Sequence, residues 1–534
     1  MHMRNLSVAL LSGFVASGAY YAFRGKTGLA ESASGDASIH TTSQAEATRK
    51  ALFIEHGQLY SGQLVGDGPL SKDTDDAGRK VLEMMTPEQA TQRLRKNEQS
   101  WLVGRGKGVV RYDVVQIPSN DPIEDDHAEK IVEVPSKDTD PMGGSDWMFW
   151  GVFDGHSGWT TSAKLRETLI SYVARELNDT YTSPQKSGPA QYPALPTPEA
   201  IDAAIKKGFL RLDNEIVHKS VSKVLEAKSK RAAAELLAPA LSGSCALLSF
   251  YDSQSKLLRV ACTGDSRAII GRRGSNGKWT ATPLSVDQTG GTPEEAARLR
   301  REHPGEPHVV SAGRVLGGLE PSRAFGDASY KWSLETQKKM KQNYFGRAGN
   351  KLLKTPPYVT AEPVVTTTKV EPGKGDFVVM ATDGLWEMLT NEEVVGLVGQ
   401  WLEAQADAKN GKSQSWLRSW FGAQGTLPVE VPKSDGDGSG QRAPIRQEQW
   451  GVTASWGERF IVQDKNAATH LVRNALGGKD QDTLCALLTL PSPFSRRYRD
   501  DLTVEVIFFG EDDKPGNVTL NQEATNVTNP KAKL

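Results

Sequence analysis

Trp147-Met148-Phe149-Trp150-Gly151-Val152-Phe153-Asp154-Gly155-His156 is the stretch on which the reading of the fold turns. Residues 147–153 carry no charge and are mostly aromatic or aliphatic, and the run is short and stops at an Asp-Gly pair. That is the pattern of a strand in the interior of a domain. Just downstream, Leu165, Leu169, Val173 and Leu177 recur at helical spacing. After a Pro- and Ser-containing loop at about 181–198, Ile201, Ile205, Leu212 and Ile216 mark a second helix. Strand-like runs then follow at 244–251, 257–262 and 267–271, separated by turn residues, with two more at 377–381 and 502–509. Helices and strands come in blocks and do not alternate strictly, which predicts an α+β fold. Thr86-Pro87-Glu88-Gln89 reads as a helix start with a capping box, and the same signal returns at Thr292 and Thr390.

The bulk properties narrow the function classes. With 534 residues the chain has room for one large domain with insertions or for several ordinary ones. Lys+Arg number 64 against 65 Asp+Glu, so no global field favours nucleic acid, which is not an expected partner. Cys245, Cys262 and Cys485 lack metal-ligand spacing and cannot all pair, which fits buried thiols in a reducing compartment. Residues 5–23 are uncharged, flanked by Arg4, Arg24 and Lys26, and the first acidic residue is Glu31. This composition predicts a mitochondrial presequence. The run also approaches the roughly 20 residues that span a bilayer, so a single membrane anchor is the second reading. A secretory signal peptide is disfavoured, because no disulfide framework accompanies it. The expected layout is a presequence and/or anchor at 1–27, a linker at 28–50, one domain at 51–510 and a polar tail at 511–534. Residues 404–455 are polar and glycine-rich and read as an insertion, whose aromatic patch at 415–421 is expected to pack on its own domain.

Three acidic residues sit at the edges of these strands: Asp154, Asp383 in Ala381-Thr382-Asp383-Gly384, and Asp500 in Arg499-Asp500-Asp501-Leu502. A carboxylate at a strand end has its backbone fixed by the sheet while its side chain reaches into a cleft. Three such groups make an oxygen cage, to which the Gly155 carbonyl can add, and all-oxygen ligation selects magnesium or manganese over zinc. Each pair alone is an ordinary turn; the combination is what points to a metal. The chain has neither the Gly-x4-Gly-Lys loop nor the Gly-x-Gly-x2-Gly fingerprint, and no Cys-x5-Arg loop.

Six motifs in order carry a family resemblance: Pro122-Ile123-Glu124-Asp125, Phe153-Asp154-Gly155-His156-Ser157-Gly158, Thr263-Gly264-Asp265-Ser266-Arg267, Arg323-Ala324-Phe325-Gly326-Asp327, Ala381-Thr382-Asp383-Gly384-Leu385-Trp386 and Asp500-Asp501-Leu502-Thr503-Val504. Over roughly residues 105–510 the chain resembles the type 2C metal-dependent protein phosphatases. Within them Asn120, Lys331-Trp332, Pro356-Pro357-Tyr358 and Tyr498-Arg499-Asp500-Asp501 resemble the mitochondrial pyruvate dehydrogenase phosphatases.

The resemblance implies a central sandwich of two antiparallel β-sheets flanked by helices. It implies two Mg2+ or Mn2+ ions bridged by Asp154, with the Gly155 carbonyl, Asp383 and Asp500 as ligands, and with Glu124 and Asp125 acting through metal-bound water. His156 corresponds to the general acid, and Asp265 and Glu387 to a weaker third metal site. The implied substrate is a phosphoprotein, the pyruvate dehydrogenase α subunit or another mitochondrial phosphoprotein, in the matrix or at the inner membrane; an inactive scaffold is the rival. Many members have an arginine where this chain has Asn120, which leaves Asn120 and Arg323 as candidates for the substrate phosphate.

Overall fold

The computed structural model describes residues 48–527 apart from 56–57, 66–73, 76–77, 136–143, 184–195, 410–426, 432–440, 442 and 512–515. The expected presequence, most of the linker and the 415–421 patch therefore lie outside the described residues.

The described chain begins with a small antiparallel sheet of β1 (Thr48–Glu55), β2 (Gln58–Val65) and β3 (Lys80–Glu83), followed by α1 (Pro87–Arg95). Next come β4 (Gln99–Val103), β5 (Val109–Ile117), β6 (Asp126–Val134), β7 (Ser145–Phe153) and the short β8 (Gly155–His156). Helices α2 (Thr160–Thr182), α3 (Pro198–Asn214) and α4 (Lys230–Leu241) precede β9 (Gly243–Ser244), β10 (Ala246–Asp252), β11 (Leu257–Thr263), β12 (Arg267–Arg273) and β13 (Trp279–Pro283). After α5 (Pro293–Glu302) come the hairpin β14 (Val310–Ser311) and β15 (Arg314–Val315), then β16 (Phe325–Gly326), β17 (Val364–Lys369) and β18 (Phe377–Ala381). Helices α6 (Asn391–Lys409), α7 (Ala467–Ala475) and α8 (Gln481–Thr489) lead to β19 (Leu502–Phe509) and β20 (Val518–Leu520).

Two sheets dominate, in the orders β17-β11-β10-β7-β6 and β13-β12-β18-β19-β5-β4-β20, and their pairings are antiparallel. Side chains alternate along each strand. Met148, Trp150 and Val152 of β7 therefore meet Val378, Met380 and Ile507 of the other sheet in the core between them. Their neighbours Trp147, Phe149 and Phe153 face outward onto Leu165 and Leu169 of α2 and Phe209 of α3. On the far side Phe377, Val379 and Val506 pack against Val394, Leu471 and Leu484 of α6, α7 and α8. Both faces of the central strands are covered, which is why β7, β18 and β19 read as largely apolar runs. The chain thus adopts the expected α+β sandwich of two antiparallel sheets flanked by helices.

The boundaries differ in places. Strand β1 starts at Thr48, inside the stretch read as linker. Strand β20 lies in the stretch read as a polar tail and extends the seven-stranded sheet by pairing with β4; three residues are too few to show a period of two. In the expected insertion, Leu427 and Val429 are buried and the Trp279 N–H donates to the Pro428 carbonyl at 2.8 Å. Thr86 forms its capping box with Gln89, and Thr390 and Glu393 exchange the same pair of bonds at 3.1 Å. Thr292 instead donates its hydroxyl to the Asp287 carbonyl at 2.6 Å.

His470 in α7 is fully buried, its Nε2 3.1 Å from the Leu397 carbonyl and its Nδ1 3.2 Å from the Asn474 amide nitrogen. Burial pushes its pKa down to about 4. Between pH 6.5 and 4 the unfolded chain takes up a proton that the folded chain refuses, so stability falls with pH, by about 3 kcal/mol in all. In urea melts, the stability gap between wild type and His470→Gln is expected to narrow as the pH drops from 7 to 5. A gap independent of pH would contradict this.

Candidate metal centre and active site

Strand register gathers the acidic residues. β6 pairs with β7 so that Asp126 faces Phe153, which sets Asp125 beside Asp154. In the other sheet Ala381 faces Val504, so Thr382 and Thr503 emerge together. Both threonine hydroxyls donate to Asp125 Oδ2 at 2.8 Å, tying the two sheets together at this edge. Asp154, Asp265 and Asp383 each place a carboxylate oxygen within 4.8 Å of the other two. The Asp383 N–H points at Asp154 Oδ2 at 3.5 Å, and the Cys245 thiol donates to Asp265 Oδ1 at 3.2 Å.

This concentration of negative charge is costly as it stands. Burial first, and then Asp383, Asp125 and Asp265, push the Asp154 carboxyl well above the ordinary carboxylate range. Burial and Asp501 do the same to Asp125, and burial followed by Asp501 raises Glu124. Like charges packed into a low-dielectric site are stable only with protons or cations among them. The donors are all oxygen, and a hard divalent cation is what such a set fits.

Gly155 is required here. A Cβ on it would lie 2.0 Å from the Glu124 carbonyl oxygen, which accepts from the Ser162 hydroxyl at 2.5 Å. The glycine lets the strand carrying Asp154 approach the Glu124-Asp125 segment. His156 follows in β8. It faces Gly243 of β9, and Gly326 of β16 faces the same glycine. Asp327, the next residue, thereby reaches His156, with Oδ2 2.6 Å from Nε2. Burial draws the imidazole pKa down, but the charge and hydrogen bond of Asp327 outweigh it and the net shift is upward. The shift favours the imidazolium, the form in which the ring can give a proton away.

A Cβ on Gly243 would fall 2.1 Å from His156 Nε2 and 2.3 Å from Asp327 Oδ2. Gly243→Ala should separate this pair and lower kcat by at least about 10-fold, while the circular dichroism spectrum stays that of the wild type. Unchanged turnover would show that the pair is not needed.

The remaining candidates have protein partners of their own. Asp500 forms an ion pair with Arg496. Asn120 gives its amide to Asp501 Oδ2 at 2.9 Å. Asp501 also accepts the backbone N–H groups of Ser119 at 2.5 Å, Asn120 at 2.8 Å and Glu124 at 2.9 Å. Arg323 is bidentate on Glu295, at 2.7 and 3.1 Å, and donates to the Glu362 carbonyl at 2.8 Å. Glu387 pairs with Arg446 at 3.0 Å. The motifs that contain Asp327 and Asp501 disclose no role for either, since nothing local shows which distant group each one meets. Beside Asp125 a groove of about 310 Å³ opens between Pro122, Ile123, Trp159 and Arg166.

Comparison with known proteins agrees with this geometry. Residues 122–414 match the family described as Protein phosphatase 2C. The chain belongs to the protein phosphatase 2C family. It is 43% identical over 461 residues to the Saccharomyces cerevisiae protein "[Pyruvate dehydrogenase [acetyl-transferring]]-phosphatase 1, mitochondrial", covering 83% of this chain and 77% of that one. It is 46% identical over 424 residues to Protein phosphatase 2C homolog C10F6.17c of Schizosaccharomyces pombe, covering 79% and 85%. The Bos taurus protein that shares the Saccharomyces name is 31% identical over 488 residues, with 80% and 83% covered. As a member of the protein phosphatase 2C family the chain is a protein serine/threonine phosphatase, and the family's dependence on metal suits the carboxylate cluster.

Proposed function

We propose that this protein phosphatase 2C removes phosphate from phosphoserine of the pyruvate dehydrogenase α subunit in mitochondria. The names of the Saccharomyces and bovine relatives support the substrate and compartment. Among the described residues no helix is long and apolar enough to cross a membrane. The observation that carries the chemistry is the trio Asp154, Asp265 and Asp383, held within 4.8 Å of one another beside the His156–Asp327 pair.

In this reading Asp154, the Gly155 carbonyl, Asp383 and Asp500 hold two Mg2+ or Mn2+ ions, and Glu124 and Asp125 hold water beside them. Recruiting Asp500 requires its ion pair with Arg496 to open. Bound cations supply an acidified water and offset the charge on the phosphoryl oxygens. The chain's own residues do the rest. Asp125, fixed by Thr382 and Thr503, orients the water-holding edge of the site. His156, whose imidazolium form Asp327 favours, gives its proton to the serine oxygen as the P–O bond breaks. Asn120 and Arg323 serve as scaffold here, fixing Asp501 and Glu295.

The test is phosphate release from the phosphorylated pyruvate dehydrogenase complex by the purified chain with manganese and with EDTA. Manganese-dependent release is expected. Release of phosphate from p-nitrophenyl phosphate but not from the complex would reject the substrate and keep the chemistry. No turnover of either by the folded chain would reject both.

A further inference from the structure

Glu387 lies one helical turn after Asp383, and its N–H donates to the Asp383 carbonyl at 2.9 Å. The family resemblance makes it a ligand of a third cation. The structure gives its carboxylate another partner. Arg446 Nε donates to Glu387 Oε2 at 3.0 Å, and the Arg446 backbone N–H donates to the Glu387 carbonyl at 2.9 Å. Arg446 Nη1 also donates to the Arg497 carbonyl at 3.2 Å and to Gln449 Oε1 at 3.1 Å. The two side chains are only 15% and 10% exposed, so bulk water screens this pair weakly.

The segment carrying Arg446 is itself fastened to the same part of the domain. Gln441 bonds to Asn391 and donates to the Ser285 carbonyl at 3.1 Å. Gln447 donates to Glu393 at 2.6 Å and to the Met388 carbonyl at 2.8 Å. These bonds run to the start of α6, to the turn between Asp383 and α6, and to the segment after β13, so the guanidinium is positioned from several sides. An arginine stays charged at any pH the fold survives, and Nε and Nη1 of this one are already engaged. A divalent ion on the same carboxylate would sit a few ångströms from that charge and be repelled.

We infer that Arg446 stands in for the third cation, so that this chain carries a two-cation centre with a guanidinium supplying the positive charge at Glu387. Arg446 is a positioning residue: through Glu387 it fixes the turn that bears Asp383. Asp265, the other residue tied to a third site, lies within the Asp154–Asp383 group and does not depend on Glu387. The inference rests on the two-metal reading above.

Equilibrium dialysis of the full chain against Mn2+, followed by metal analysis, tests it. The expected content at saturation is two Mn2+ per chain in wild type, two in Glu387→Gln and three in Arg446→Ala, the third being the weakest. Three in wild type with one lost in Glu387→Gln would overturn the inference. So would two in an Arg446→Ala protein whose circular dichroism and melting match wild type. If Arg446→Ala does not fold, the comparison of wild type with Glu387→Gln decides: equal contents of two support the inference and a lost ion overturns it. A wild type that binds no Mn2+ would overturn the metal reading itself, and this inference with it.

Discussion

Asp154→Asn should cut manganese-dependent turnover by about 10^3-fold or more and at the same time raise the melting temperature in EDTA. The two effects have one cause. In the folded chain burial and three neighbouring carboxylates raise the Asp154 pKa. The folded state therefore binds that proton more tightly than the unfolded state does. Above the raised pKa the ionised group destabilises the fold in full, and without metal stability rises as the pH falls through the raised pKa toward the ordinary carboxylate value. Asparagine keeps the shape and removes the charge, so the chain in EDTA gains stability. In the proposed centre the same change removes a cation ligand, so the stabilisation that manganese gives wild type should shrink in the variant. Melting curves in EDTA and in manganese, set beside kcat, check both halves. A variant less stable in EDTA than wild type would mark Asp154 as a packing residue.

His156→Asn should separate substrates by their leaving groups. Serine leaves as an alkoxide unless it is protonated, so kcat on a phosphoserine peptide is expected to fall by about 10^2–10^4-fold. The p-nitrophenolate ion leaves without help, and loss on p-nitrophenyl phosphate should stay within about 10-fold. Asp327→Asn should show the same selectivity at smaller amplitude, because it acts through its bond to the ring at Nε2. Equal losses on the two substrates would assign His156 to structure and not to proton transfer.

The sandwich was legible because its strands are buried on both faces. Residues 147–153, 377–381 and 502–509 become β7, β18 and β19 with few boundary errors, since long apolar runs carry a strong signal. Asp154 and Asp383 were legible as strand-end carboxylates, and the register of the two sheets does bring them together with Asp265. What was not legible depends on contacts between distant segments. His156 and Asp327 are 171 residues apart and meet only because β8 and β16 share the short strand β9. Asp501 collects three backbone N–H groups from the 119–124 loop, a role that its place in an Asp-Asp pair does not disclose. Arg446 sits in a polar, glycine-rich region read only as an insertion, and its partner Glu387 is reached from 59 residues away. Asn120 and Arg323 were read as candidates for phosphate; their side chains have protein partners that only the folded chain reveals.

The central claim is that the strand-end carboxylates are a metal centre. Its most direct test is anomalous diffraction at the manganese edge from crystals of the full chain grown with Mn2+. Two peaks about 3.5–4 Å apart are expected, bridged by Asp154 and touching Asp383. Peaks elsewhere, or none between these carboxylates in a well-ordered site, would contradict it.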